Sequence, residues 1–173
     1  MITRRHEAEG CASVAEYSDC ERYRYSLTRT WDHPGRGVAF VMLNPSTASE
    51  LRNDPTVERC ERRARAMGFG AFRVVNLFAW RATDPKDLRA AAEPVGEGND
   101  AALLASAGWA QQIICGWGTH GAHRQRGAQV EALLRGTGQE LFALGLTKEG
   151  HPRHPLYVGY AQGPVAWSPQ GAC

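Results

Sequence analysis

The stretch Val38-Ala39-Phe40-Val41-Met42-Leu43-Asn44-Pro45-Ser46-Thr47 joins an uninterrupted apolar run to an abrupt polar turn. A continuous apolar run of this length is typical of a strand that is buried on both faces, as in parallel sheets. Asn44 and Pro45 end the strand, because proline cannot continue a central strand and asparagine favours turns. The stretch therefore predicts a buried strand whose end places polar groups at one edge of a sheet.

Strand and helix patterns alternate along the chain on either side of this strand. Asp54-Pro55 predicts the start of a helix that runs to about Met67, with a side-chain cap followed by proline in the first turn. An edge strand is predicted at 23–31, further buried strands at 71–77, 111–115 and 140–144, and helices at 99–107 and 121–135. This alternation predicts an α/β fold with three layers, a mainly parallel sheet with helices on both faces, plus an N-terminal edge strand.

The length of 173 residues fits one domain of ordinary size. Residues 1–22 show no clear period and are predicted to form an irregular arm, and residues 23–173 a single α/β domain. No apolar run approaches the roughly 18–20 residues of a membrane helix, and the N-terminus lacks an apolar signal core. We therefore expect a cytoplasmic protein with no membrane partner.

The charged and sulfur-containing residues restrict the functional class. A net charge of +2 is too small to indicate nucleic-acid binding by itself. Arginine makes up 18 of the 20 basic residues, which suits phosphate recognition or simply reflects a genome rich in arginine codons. The five cysteines are widely spaced and form no Cys-x-x-Cys pair, so neither a disulfide framework nor a zinc or iron–sulfur site is expected. We expect no cofactor.

A polar loop follows each of the four predicted buried strands. These loops are 44–47 with Asn53-Asp54, then 76–85, 116–121 and 145–157. The carboxyl ends of parallel strands lie at one edge of a sheet, where α/β proteins bind their ligands. The loops together offer amide, carboxylate, imidazole, guanidinium and indole groups, which predicts a pocket for a flat polar ring attached to a phosphate.

Each candidate residue in these loops also has a purely structural explanation. Asn44 fixes a turn or positions a reacting group, and Asp54 caps a helix, acts as an acceptor or base, or does both. His151 and His154 are a surface pair or contact a ligand, and no Cys or Asp at suitable spacing completes a metal site. The further residues predicted to bind substrate are Pro45, Ser46, Thr47, Asn76, Arg81, Trp117 and Lys148.

Trp117 and Arg81 have more specific predicted roles than the other candidates. Trp117 either packs in the core or stacks on a base, and Arg81 is expected to hold a phosphate because it lies at a strand end. The segment 116–121 has the Gly-x-Gly-x-x-Gly spacing of a dinucleotide fingerprint. It follows a late strand, and bulky residues crowd the turn, so we do not interpret it as a dinucleotide site.

Several motifs resemble an uncharacterised bacterial and phage family, domain of unknown function 1643. They are 42–48, 54–56, 76–85, 94–96 with 99–100, 117–118, 144–148 and 154–157. The resemblance covers about residues 23–160 and implies no activity. A more distant resemblance is to the uracil-DNA glycosylase superfamily, which has a parallel α/β sheet. Asn44-Pro45 is similar to its Asn-Pro motif that supports water attack, and His151-Pro152 or His154-Pro155 is similar to its late His-Pro motif that contacts the base. Leu43 stands where a glycine precedes that first motif.

These observations lead to two competing hypotheses about function. The first is hydrolysis of an N-glycosidic bond in a nucleotide, modified nucleoside or nucleic acid, without a cofactor. Asn44 would position water, Asp54 would polarise it or stabilise the sugar cation, and His154 or His151 would donate to the departing base, with Trp117 stacked on it. The alternative is a module that binds a nucleotide or modified base without chemistry. A third class, amide or phosphate transfer with Ser46 or Thr47 as nucleophile and Asp54 as base, ranks last.

Overall fold

The computed structural model describes residues 1–169, in which eight strands form one mixed sheet. The strands are β1 (Ile2–Ala8), β2 (Cys11–Tyr17), β3 (Arg24–Thr30), β4 (Gly37–Met42), β5 (Ala71–Asn76), β6 (Gln112–Cys115), β7 (Leu141–Ala143) and β8 (Val165–Ala166). The helices are α1 (Pro55–Ala66), α2 (Pro85–Ala90), α3 (Asn99–Trp109) and α4 (Arg126–Arg135), with 3₁₀ turns at Thr119–Gln125 and Pro155–Tyr157. Residues 170–173, the predicted end of the domain, lie outside the described residues.

The predicted fold class, a mainly parallel three-layer sheet with helices on both faces, was wrong. The strand order is β1-β2-β3-β5-β4-β6-β7-β8, and four of the seven strand pairs are antiparallel. Parallel pairing is confined to the central run β5-β4-β6-β7. The alternation of strands and helices holds only for that central part, because an antiparallel meander, β1-β2-β3, extends the sheet on one side.

The N-terminal residues 1–22 are not the irregular arm that we expected, since they contain β1 and β2. Alternate residues of β2 are buried, namely Ser13, Ala15 and Tyr17. Ser13 and Ala15 are less hydrophobic than Val14 between them, so the sequence shows no clear period of two. As a result β3, predicted to lie at an edge, is an internal strand paired with β2 and β5.

The strand β4 is buried along its whole length, which confirms the interpretation of its apolar run. Val38 and Phe40 belong to one apolar cluster, which includes Val57 and Cys60 of α1. Ala39 and Val41 belong to a second cluster that includes side chains of α3 and α4. Because both of its neighbours, β5 and β6, run parallel to β4, their carboxyl ends meet at the same edge as Asn44.

Within the described residues, none of the helices combines the length and the apolar character that crossing a membrane would need.

Candidate functional site

A cavity of about 520 Å³ lies at the carboxyl ends of the parallel strands. Its walls come from the loops that follow β4, β5, β6 and β7 and from the start of α1. The lining includes hydroxyl groups from each of these segments, namely Ser46, Thr47, Thr56, Thr83, Thr119 and Thr147. Leu43, Trp117, Leu156 and Tyr157 add apolar surface. The cavity thus joins an apolar wall to many hydrogen-bonding groups, as small-molecule sites do.

Asn44 ties the loop after β4 to the loop after β5 and also lines the cavity. Its Nδ2 donates to the carbonyl oxygen of Ala82 at 2.7 Å and to that of Pro45 at 3.1 Å. Two carbonyl partners fix which end of the amide is nitrogen, because a carbonyl cannot accept from Oδ1. The Oδ1 atom has no hydrogen-bond partner within residues 1–169 and remains available as an acceptor.

Asp54 caps α1 and also reaches the cavity wall. Its Oδ1 accepts from the amide of Val57 at 2.9 Å, and its Oδ2 accepts from the amide of Ala48 at 3.2 Å. The helix start predicted at Asp54-Pro55 is therefore confirmed. Only 8% of Asp54 is exposed, so the carboxylate is held in one orientation. Capping and ligand contact are compatible at this residue, since each oxygen keeps an unused lone pair.

Two buried arginines of β3 hold the loop between Asn44 and Asp54 in place. Arg24, 1% exposed, donates to the carbonyl oxygen of Ala48 at 2.7 Å. Burial lowers the pKa of the Arg24 guanidinium to about 10, and the Asp54 carboxylate partly opposes that change. Arg29 donates to the carbonyl oxygen of Ser49 at 2.9 Å, to Asn53 Oδ1 at 2.8 Å and to Ser13 Oγ at 3.0 Å. Neither arginine was predicted from the sequence to belong to the site.

Replacing Arg29 by alanine is expected to lower the free energy of unfolding by about 2–4 kcal/mol. The change removes three hydrogen bonds and leaves their acceptors unpaired, of which Ser13 is buried and Ser49 and Asn53 are partly buried. Urea denaturation would measure the loss. Arg5→Ala is the matched control, because Arg5 is exposed on β1, and it should stay within about 0.5 kcal/mol of the wild type. Equal stability of the two variants would contradict this role of Arg29.

His154 is a mostly buried residue that caps the 3₁₀ turn Pro155–Tyr157. Its Nδ1 accepts from the amide of Leu156 at 3.3 Å, so the hydrogen of the neutral ring lies on Nε2. Burial lowers the pKa of His154 to about 4; the charge of Asp54 raises it and that of His120 lowers it further. At neutral pH His154 is therefore an uncharged side chain whose Nε2 hydrogen is available for a hydrogen bond to a ligand.

This lowered pKa predicts that stability falls in mild acid. Between the folded pKa of about 4 and the ordinary value of 6.5, the unfolded chain binds more protons than the native protein. Stability is then fully present above pH 6.5 and declines by on the order of 2–3 kcal/mol as the pH falls to 4. Urea denaturation at several pH values should show His154→Gln losing most of this slope, whereas His33→Gln, at an exposed position, keeps it. An unchanged slope in His154→Gln would refute the assignment.

The structure brings six of the predicted site residues to this cavity: Asn44, Ser46, Thr47, Asp54, Trp117 and His154. Trp117 is only 2% exposed and lies edge-on to Trp167, with ring centroids 5.5 Å apart. Gly121 and Gly127 lie against this ring, and a Cβ atom at Gly121 would overlap it. Trp117 is thus mainly a core residue, and little of its ring is open to a stacked base.

The other five predicted residues do not line the cavity. Pro45 is buried beside it, and Lys148 is exposed outside it. Asn76 is buried, and its carbonyl oxygen accepts from Asn99 Nδ2 at 2.9 Å. Arg81 donates to the carbonyl oxygen of Glu21 at 3.1 Å, and its guanidinium carbon lies 5.2 Å from the Tyr17 ring centroid. His151 lines a separate cavity of about 340 Å³, which Trp117 also borders. Their functional roles stay predictions.

The lining residues that were not predicted from the sequence include His120, Arg153 and Tyr157. All three lie in loops that the strand-end argument had identified, at 116–121 and 145–157. Which side chain of an irregular loop faces a cavity depends on local backbone angles, and no periodic pattern reports them. Among the described residues, no three His, Cys, Asp or Glu side chains are grouped so as to hold a metal ion.

Fold and cavity together define a mixed-sheet α/β protein with a polar pocket at the ends of its parallel strands. The family model described as "Protein of unknown function (DUF1643)" matches residues 24–156. The chain belongs to this family, which confirms the resemblance inferred from the sequence motifs. The matched region contains every cavity-lining residue except Tyr157. No curated protein and no solved structure matches the chain.

Proposed function

We propose that this protein hydrolyses an N-glycosidic bond in a nucleotide, modified nucleoside or nucleic acid. One observation carries the proposal: Asn44, Asp54 and His154, chosen from the sequence for this chemistry, contribute to the walls of one cavity. Its volume of about 520 Å³ suits a ligand of nucleotide size.

The reaction requires three kinds of assistance, and the cavity offers a residue for each. Water adds to the anomeric carbon of the sugar, the bond to the base nitrogen breaks, and the base leaves with the electron pair. Asn44 accepts a hydrogen bond from the water through its free Oδ1. Asp54 takes the water proton and stabilises the positive charge that develops on the sugar. His154 donates a hydrogen bond from Nε2 to an oxygen of the departing base and so stabilises its negative charge.

The neutral state of His154 restricts the kind of leaving group. Since the pKa of this residue lies at about 4, it stabilises an anionic base through a hydrogen bond and does not transfer a full proton at neutral pH. A base with a carbonyl oxygen next to the glycosidic nitrogen meets this requirement. The reaction class itself is suggested by the likeness of Asn44-Pro45 and His154-Pro155 to motifs of the uracil-DNA glycosylase superfamily.

The test is to incubate the protein with uracil-containing and modified DNA and with a panel of nucleosides and nucleotides. Released base is then quantified by chromatography. Release above the protein-free background is expected for at least one substrate, and His154→Gln should reduce it about 10- to 100-fold. His33→Gln serves as the matched control and should match the wild type. If no substrate of the panel loses its base, the proposed hydrolysis is wrong.

A binding module without chemistry is the second candidate, and one observation favours it. Both oxygens of Asp54 already accept backbone amides, at 2.9 and 3.2 Å, so capping alone accounts for this carboxylate. Thermal-shift measurements separate the two functions. A ligand that raises the unfolding temperature with its concentration and is recovered intact supports binding, whereas recovery of free base supports hydrolysis.

A further inference from the structure

The charged groups around the cavity are unevenly distributed. Asp54 is the one acidic residue among the described lining residues, and it is 8% exposed. Arg153, by contrast, is exposed and carries a permanent positive charge at the cavity wall. The nearest acidic residue in sequence, Glu149, lies four positions before Arg153 and borders the separate cavity of about 340 Å³. An anionic group of a ligand therefore meets a cation at this wall and no exposed carboxylate.

The guanidinium of Arg153 is positioned by the fold but is only partly used by it. One of its terminal nitrogens donates to the carbonyl oxygen of Tyr157 at 3.0 Å. Its side-chain methylene lies against Gly145. A guanidinium has five N–H donors. The Arg153 guanidinium has no second hydrogen-bond partner within residues 1–169. The free donors form the planar fork that suits a phosphate.

Tyr157 presents an exposed ring on a fixed backbone at the same wall. Tyr157 is 77% exposed. Its backbone is nevertheless held in place, because its amide donates to the carbonyl oxygen of His154 at 3.0 Å. Arg63 of α1 binds the next carbonyl oxygens, those of Val158 and Gly159, at 3.1 and 2.9 Å. The ring centroids of Tyr157 and His154 are 6.0 Å apart. An aromatic ring held this way is suited to stack on a base.

We propose that the ligand of this cavity is a nucleoside monophosphate unit, whose phosphate pairs with Arg153 and whose base stacks on Tyr157. The inference rests on the proposed function in taking a nucleotide as the ligand. Arg153 binds the phosphate in place of Arg81, because Arg81 already donates to the carbonyl oxygen of Glu21 and lies over the ring of Tyr17. Tyr157 stacks on the base in place of Trp117, because Trp117 is buried. This unit is either a free nucleotide or one nucleotide of a single-stranded nucleic acid, since both present the same phosphate and base.

The phosphate contact is tested by changing the ligand and the protein together. The probes are the common 2′-deoxynucleosides and deoxyuridine, each compared with its 5′-monophosphate and with a pentanucleotide that contains it, by calorimetric titration. The wild type is expected to bind a monophosphate about 10- to 100-fold more tightly than the nucleoside. Arg153→Gln should reduce this preference to less than about threefold. Arg62→Gln, at an exposed position of α1 outside the cavity, should preserve it.

The stacking contact is tested with two variants of Tyr157 and a control. Tyr157→Ala should weaken nucleoside and monophosphate binding equally, by about tenfold, and Tyr157→Phe should restore it. Tyr160→Ala is the control, because Tyr160 is also exposed, at 47%, but does not line the cavity. If the pentanucleotide binds more tightly than the monophosphate, the ligand is part of a single-stranded nucleic acid. If the monophosphate binds more tightly, the ligand is a free nucleotide.

The outcomes separate this inference from the proposed hydrolysis. A phosphate preference that survives in Arg153→Gln would overturn the inference, as would the failure of every probe to bind the wild type. Chromatography of the same samples reports base release independently. An Arg153-dependent preference without release leaves the inference standing and refutes hydrolysis. Equal binding and release of nucleosides and nucleotides supports hydrolysis and refutes the inference.

Discussion

Replacing Asp54 by asparagine is expected to lower the rate of base release by about 10²- to 10⁴-fold while the protein stays folded. Asparagine caps a helix as well as aspartate does, so its side-chain oxygen can still accept from the amide of Val57. It lacks the charge that accepts the water proton and stabilises the sugar cation. One hydrogen bond, to the amide of Ala48, is lost, and the expected cost in unfolding free energy is about 1–2 kcal/mol.

Asp84→Asn is the matched control for this variant. Asp84 also caps a helix, since its carboxylate accepts from the amide of Lys86 at 2.8 Å at the start of α2. It is exposed and does not line the cavity. Single-turnover measurements of released base should show wild-type rates for Asp84→Asn. Wild-type rates for a folded Asp54→Asn as well would remove Asp54 from the mechanism.

Replacing Asn44 by alanine is expected to reduce base release by about 10²- to 10³-fold. The variant loses the free Oδ1 that positions water and the hydrogen bonds from Nδ2 to Ala82 and Pro45. The second loss loosens the link between two loops and should lower the free energy of unfolding by about 1–2 kcal/mol. Base release and urea denaturation, measured on the same preparation, report the two effects separately.

Asn53→Ala distinguishes a direct role of Asn44 from a general effect on its loop. Asn53 belongs to the same loop and accepts from Arg29 at 2.8 Å. It also donates to Glu58 at 2.9 Å, but it does not line the cavity. This variant should lose stability to a similar extent and keep most of its activity. A loss of activity as large as that of Asn44→Ala would show that only loop position matters.

The local parts of the fold could be predicted from the sequence because their causes are local. The apolar run of β4 requires burial on both faces, and Asp54-Pro55 supplies a cap and a first-turn proline for α1. Strand direction is different, because pairing partners are distant in the chain. Nothing near β3 indicates that it pairs with β2 and β5 in antiparallel fashion. This is why the mixed sheet was taken for a mainly parallel one.

The candidate site was predictable in location and only partly in composition. Asn44 and Asp54 line the cavity because they flank the loop at the end of a buried strand, and their role there stays a prediction. Arg153 and Tyr157 lie in an irregular loop, where spacing does not reveal side-chain direction. Arg24 and Arg29 were missed for another reason. They act from β3, whose position inside the sheet depends on the N-terminal strands that the sequence did not reveal.

The central claim is that Asn44 and Asp54 act on the same reacting atoms in one cavity. It is tested most directly by comparing base release in Asn44→Ala, Asp54→Asn and the variant with both changes. Residues that act as one unit give losses that do not multiply. We predict that the double variant is slower than the slower single variant by less than about tenfold. Losses that multiply across the two sites would contradict the account.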